Sequence, residues 1–109
     1  MPGKFELKTA SNGKFFFNLK AANGEVILTS QQYKDIASAK KGIASVQENA
    51  ANEARFEIKT AKDGEFYFVL KAGNMQVIGN SETYPTEAAL KKGIASVQKN
   101  APDATIVEA

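Results

Sequence analysis

Apolar and polar residues alternate from Phe5 to Thr9, the period of a strand with one face buried. Asn12-Gly13 follows, a dipeptide suited to the positive φ of a tight hairpin, and a second strand is predicted over Lys14 to Lys20 with Phe15, Phe17 and Leu19 on one face. Asn23-Gly24 predicts another turn, leading into a third strand at Glu25-Val26-Ile27-Leu28. The period then lengthens. Ile36, Ala39, Ile43, Val46 and Ala50 recur at three and four residues, the apolar stripe of an amphipathic helix. Asp35 is placed to accept from the first free amides of that helix, and Asn49 to end it in a left-handed turn.

The same succession then repeats about 51 residues further on. Lys40-Lys41-Gly42-Ile43-Ala44-Ser45-Val46-Gln47 returns letter for letter as Lys91-Lys92-Gly93-Ile94-Ala95-Ser96-Val97-Gln98. Phe5-Glu6-Leu7-Lys8-Thr9-Ala10 corresponds to Phe56-Glu57-Ile58-Lys59-Thr60-Ala61, and the Phe15 to Ala21 strand to Phe66 to Ala72. The second unit has Asp63-Gly64 and Gly73-Asn74 at its turns, Leu90, Ile94, Val97 and Ala101 as its helical stripe, Thr86 as N-cap and Asn100 before Pro102 as its stop. Such self-similarity at a fixed period marks a tandem repeat. Repeat 1 spans about residues 4–53 and repeat 2 about 55–109, and the expectation is a single domain over 1–109. A unit of about 50 residues buries too little surface to stand alone, so the two are expected to share one sheet and one core. Shifted by the repeat length, Ile106-Val107-Glu108 falls on Arg55-Phe56-Glu57, so the unit reads β-β-β-α-β and Arg55–Lys59 is expected to close unit 1 while opening unit 2.

The F-E-[LI]-K start, the G-x-F-x-F-x-L-K hairpin and the K-x-G-I-x-S-V-x-x-N-A helix end, each present twice and in register, resemble the YegP-like family of small bacterial proteins. The resemblance implies an α+β fold in which two tandem β-β-β-α-β units share one antiparallel sheet, with both helices on one face and C-terminal strands exchanged between units. It carries no biochemical activity and no catalytic residues.

Composition narrows the chemistry. The 109 residues include no cysteine and no histidine, which removes thiolate chemistry, disulfides, the commonest general base and the commonest metal ligand. Carboxylates are scattered without an oxygen-ligand loop, and the eight glycines are placed at turns, in the two helices and near the start, none forming a phosphate cradle. Catalytic residues, cofactors and metals are therefore not expected, and the chain is not read as an enzyme. Ser45, Gln47 and Asn49, with Ser96, Gln98 and Asn100, are read as structural caps or helix–sheet contacts. A net charge of +2 is too small to indicate nucleic acid by itself. No apolar run is long enough for a membrane, and the default expectation is a cytoplasmic protein.

What remains is a surface. If Phe17 and Leu19 face inward, Lys14, Phe16 and Lys20 face outward, as do Arg55, Lys59, Tyr67 and Lys71 in unit 2. A helix-free sheet face with an aromatic among lysines suits a protein partner or a homodimer, and resembles the stacking platforms that hold single-stranded nucleic acid. A solvated face of Lys–Glu cross-strand pairs gives the same pattern. The leading reading is a small interaction protein of unknown partner, with single-stranded nucleic acid as the alternative and an enzyme using Lys or Glu a distant third.

Overall fold

A computed structural model describes residues 3–108, so Ala109, the end of repeat 2 as bounded from the sequence, lies outside the described residues. The chain runs β1 (Lys4–Thr9), β2 (Phe15–Lys20), β3 (Val26–Ser30), α1 (Ile36–Asn49), β4 (Phe56–Thr60), β5 (Phe66–Lys71), β6 (Val77–Asn80), α2 (Glu87–Asn100) and β7 (Thr105–Glu108), with a single 3-10 turn at Glu53–Arg55 before β4. The hairpin turns form where Gly13, Gly24 and Gly64 adopt positive φ, as Asn-Gly and Asp-Gly chemistry predicts. Asn12 and Asp63 assist, their Oδ1 atoms accepting from the amides two residues on at 3.0 Å. Where unit 1 has Gly24, unit 2 has Met75, and Met75 keeps the left-handed conformation at φ 70°. The positive φ in this turn therefore falls one residue beyond the predicted Gly73-Asn74 pair.

The seven strands make one sheet in the order β4-β5-β6-β3-β2-β1-β7. Neighbours are antiparallel except β1 and β7, which pair in parallel with Phe5 opposite Ile106 and Leu7 opposite Glu108. This corrects the expectation of a purely antiparallel sheet: β7 leaves α2 and reaches the far edge running in the direction of β1. The exchange of closing strands is also one-sided. β7 belongs to unit 2 and covers unit 1, whereas β4, expected to close unit 1, pairs only with β5 and stands at the opposite edge. The two units meet at β3 and β6 through Thr29↔Asn80 and Ser30↔Gly79.

Both helices lie on one face, over a shared cluster that includes Phe5, Leu7, Phe17, Leu19, Ile43 and Val46 from unit 1 and Phe68, Leu70, Leu90, Ile94 and Val97 from unit 2. Asp35 and Thr86 cap them as predicted, accepting from the amides of Ser38 at 2.7 Å and Ala89 at 3.1 Å. Asn49 and Asn100 do not form left-handed stops. Both remain helical, the caps Ala50 and Ala101 are right-handed, and each Asn donates its Nδ2 back to the carbonyl four residues earlier, Ser45 or Ser96, at 2.8 Å. This gives Ser45 and Ser96 a structural partner.

The interior helix glycines are explained by close approach. A Cβ on Gly42 would lie 2.6 Å from Tyr33 Cζ and 3.1 Å from Phe17 Cε2, and one on Gly93 would lie 2.7 Å from Tyr84 Cζ and 3.2 Å from Phe68 Cε2. Helix propensity favours Ala over Gly by about 1 kcal/mol, but overpacking costs about 1–3 kcal/mol. Gly42→Ala is therefore expected to destabilise the chain in urea denaturation. A rise in the urea midpoint would show that the Tyr33 ring yields freely.

Candidate functional site

The register puts Glu6, Asn18, Thr29, Asn80, Val69 and Glu57 in one row across the helix-free face, because residues opposite each other in neighbouring strands share a face. Phe16 lies opposite Lys8, Tyr67 opposite Lys59, and Lys20 and Lys71 stand at the ends of their strands. Five of the seven predicted surface residues are thus strand residues on one face. Lys14 just precedes β2 and Arg55 just precedes β4, and only Lys14 is exposed. The Arg55 guanidinium folds toward Gly73, where a Cβ would lie 3.7 Å from it, and its Nε is buried without a hydrogen-bond partner.

Much of the positive charge on this face is matched. Glu6 reaches both Lys8 and Lys20 at 3.1 Å, and Glu57 pairs with Lys71. Lys8 and then Lys20 hold the Glu6 carboxyl below the usual range, and Lys71 and then Lys59 do so for Glu57. Both shifts run opposite to what a general acid needs at neutral pH. Phe16 and Tyr67 are each half-buried, and two strands, β3 and β6, separate theirs. That places them on the order of 14 Å apart across the sheet, too far for one stacking surface. Tyr67 and Lys59 do share a shallow depression of ≈ 460 Å³ with Val69, Val77 and Asn80. Among the described residues, no cluster of acidic side chains is arranged to hold a metal ion.

A second surface was not foreseen. It lies on the helix side at the β4 edge, where Phe56, Ile58, Lys91, Ile94, Ala95 and Gln98 line a groove of ≈ 350 Å³. Its twin in unit 1 is filled. Leu7 is 3% exposed, whereas Ile58, the same repeat position, is 44% exposed; Phe5 is fully buried and Phe56 only partly. The difference is β7. It lies along β1, its Glu108 is 3.6 Å from Lys40, and Gln47 donates to the Ala101 carbonyl at 3.2 Å on the approach to it. The signal was present in the tail. Two first strands and one closing strand leave one edge without cover.

The comparisons with known proteins concern both repeats. A family described as a domain of unknown function (DUF1508) matches residues 10–57 and again 61–108. A UPF0339 protein named YegP from Yersinia pestis is 56% identical over 90% of this chain and 88% of its own length. YegP of Escherichia coli K12 is 52% identical over 97% of this chain and 96% of its own. The solution structure of the E. coli protein, described as of unknown function, matches with TM-score 0.93 over 99% of this chain and 93% of that one, at 51% identity. A UPF0339 protein from Shewanella oneidensis matches with TM-score 0.92 and 48% identity, over 99% and 92% of the two chains. No helix among the described residues is long and apolar enough to cross a membrane.

Proposed function

This chain belongs to the DUF1508 family of YegP-like proteins, and we propose that it acts without catalysis, as a small interaction protein that engages another polypeptide at the open end of unit 2. The observation that carries this reading is the contrast between Leu7 and Ile58: the same position is covered by a strand in one repeat and left in solvent in the other. Exposed aliphatic side chains beside an unpaired strand edge favour association, which folded proteins usually suppress with charges or cover. A non-enzymatic role is supported by the state of Glu6 and Glu57, whose carboxyls are held below the usual range by their lysine neighbours, opposite to what a general acid needs.

The test compares capture by the tethered chain from bacterial lysate with capture by Ile58→Lys and Tyr67→Ala variants of matched stability. At least one protein is expected to be held by the parent and by Tyr67→Ala and lost with Ile58→Lys. Identical capture by all three would overturn the reading.

Single-stranded nucleic acid is not favoured, because Lys20 and Lys71 are already paired with Glu6 and Glu57. No retention of a labelled single-stranded oligonucleotide is expected even at low salt, where phosphate contacts are strongest. Retention that disappears in Tyr67→Ala would move the site to the helix-free face.

A further inference from the structure

Resting on the interaction reading, we propose that the groove along β4 takes an extended segment of a partner protein, paired in parallel with β4, carrying an aliphatic residue beside Phe56 and a carboxylate two positions later, within reach of Lys91.

The occupant's chemistry is written in the other repeat. β7 fills the corresponding place on β1, with Ile106 opposite Phe5 and Glu108 opposite Leu7. Lys40 of α1 meets Glu108, and Gln47, two turns further along, donates to the chain leading into β7. Each of these receptor residues has an identical or near-identical counterpart at the vacant place. Phe5 and Leu7 become Phe56 and Ile58, while Lys40, Ile43, Ala44 and Gln47 become Lys91, Ile94, Ala95 and Gln98. All six counterparts line the groove. Among the described residues Lys91 has no ion-pair partner, whereas its twin Lys40 has one. β4 is the terminal strand of the sheet, so its outer backbone groups are available for a parallel ladder like that between β1 and β7.

A partner's segment fits better than a second copy of this chain. For β7 of another copy to reach β4, it would have to leave its own β1 and uncover Phe5 and Leu7, which are 0% and 3% exposed. Such an exchange fills one edge by opening another. A segment from a different protein adds strand pairing and removes none.

The probe is an acetylated, amidated peptide copying residues 102–109, titrated into the isotope-labelled full chain while backbone amide shifts are followed. Saturable shifts are expected at Phe56–Ile58 and along α2 from Lys91 to Gln98. Lys91→Glu, a change at an exposed position, is expected to weaken binding on the order of three- to fivefold, the range of an exposed ion pair. A peptide carrying Lys in place of the residue copied from Glu108 should restore binding to Lys91→Glu, which a merely structural role for Lys91 would not do. No shift at β4 up to millimolar peptide would overturn the proposal. Shifts confined to Phe5–Leu7 would also overturn it, since the peptide would then be displacing β7. Concentration-dependent broadening at β4 in the chain alone would replace the partner with a second copy. If the peptide fails while Ile58-dependent capture of a partner persists, the strand-specific form is lost and the broader interaction reading stands.

Discussion

Gly79→Ala is expected to lower stability by about 3 kcal/mol, near the upper end for overpacking, because the added methyl would meet backbone and not a side chain that can turn away. Gly79 lies in β6 at the junction of the two units, opposite Ser30 of β3. A Cβ there would lie 2.6 Å from the Thr29 carbonyl oxygen and 3.2 Å from Ser30 Cα. Relief requires β3 and β6 to separate. Only two residue pairs and the Gln31 amide bond to the Ile78 carbonyl, 3.0 Å long, register these strands, so little remains to hold them. The repeat makes the point sharper. The equivalent position in unit 1 is Leu28, which is fully buried, so the two units pack by being unlike there. Chemical denaturation measures the loss, and amide exchange at Gln31 should accelerate. Gly73→Ala is the control: its methyl meets only the Arg55 guanidinium, at 3.7 Å, and should change stability by less than about 0.5 kcal/mol. Equal behaviour of the two variants would show that the junction is soft.

Phe17→Ala is expected to cost about 3–5 kcal/mol, a large share of the roughly 5–15 kcal/mol that holds a domain together. Phe17 is fully buried, edge-on to Phe5 at 5.7 Å and stacked parallel to Tyr33 at 6.1 Å. Phe68 repeats the arrangement with Phe56 at 5.5 Å and Tyr84 at 6.4 Å. The two truncations should nevertheless differ. Phe5 is sealed by β7, while Phe56 stands at the open edge, so the space left by Phe68→Ala can collapse or admit water more easily. Phe68→Ala is expected at the lower end of the range. Because the two units share one apolar cluster, each variant should unfold in a single transition, seen together by far-UV circular dichroism and tyrosine fluorescence. Equal losses would remove the claimed inequivalence of the units, and separated transitions would remove the shared core.

Local signals were legible where short-range physics decides. Alternation gave the first two strands, the Asn23-Gly24 turn the third and the repeat the rest; three-and-four spacing gave the helices, Asp35 and Thr86 their starts, and Asn-Gly and Asp-Gly three of the turns. Met75 shows how such signals fail: the turn keeps its hydrogen bonds, Met75 amide to Ala72 carbonyl and Ala72 amide to Gln76 carbonyl at 2.9 Å, with a non-glycine residue in the left-handed region. Asn49 and Asn100 show another way. The side chain that favours a left-handed stop also bonds back to Ser45 or Ser96, and the second option prevails here. Gly79, counted with the turn glycines from the sequence, lies instead within β6, because nothing local distinguishes a strand glycine at a junction from one in a turn. Of the candidate surface, the face of Phe16, Lys20, Lys59, Tyr67 and Lys71 was legible from alternation, but its pairing by Glu6 and Glu57 depended on strand register.

The sequence alone determined that there are two copies of one unit, what each unit contains, and that neither carries histidine or cysteine chemistry. It also placed a shortened first strand after the second helix, at Ile106-Val107-Glu108. Which edge that strand would cover was decided only by the tertiary structure. The two first strands, Phe5-Glu6-Leu7 and Phe56-Glu57-Ile58, carry nearly the same local propensities, and these do not choose between two edges. The choice follows from connectivity and direction: α2 delivers β7 to β1, parallel to it, burying Leu7 and leaving Ile58 exposed.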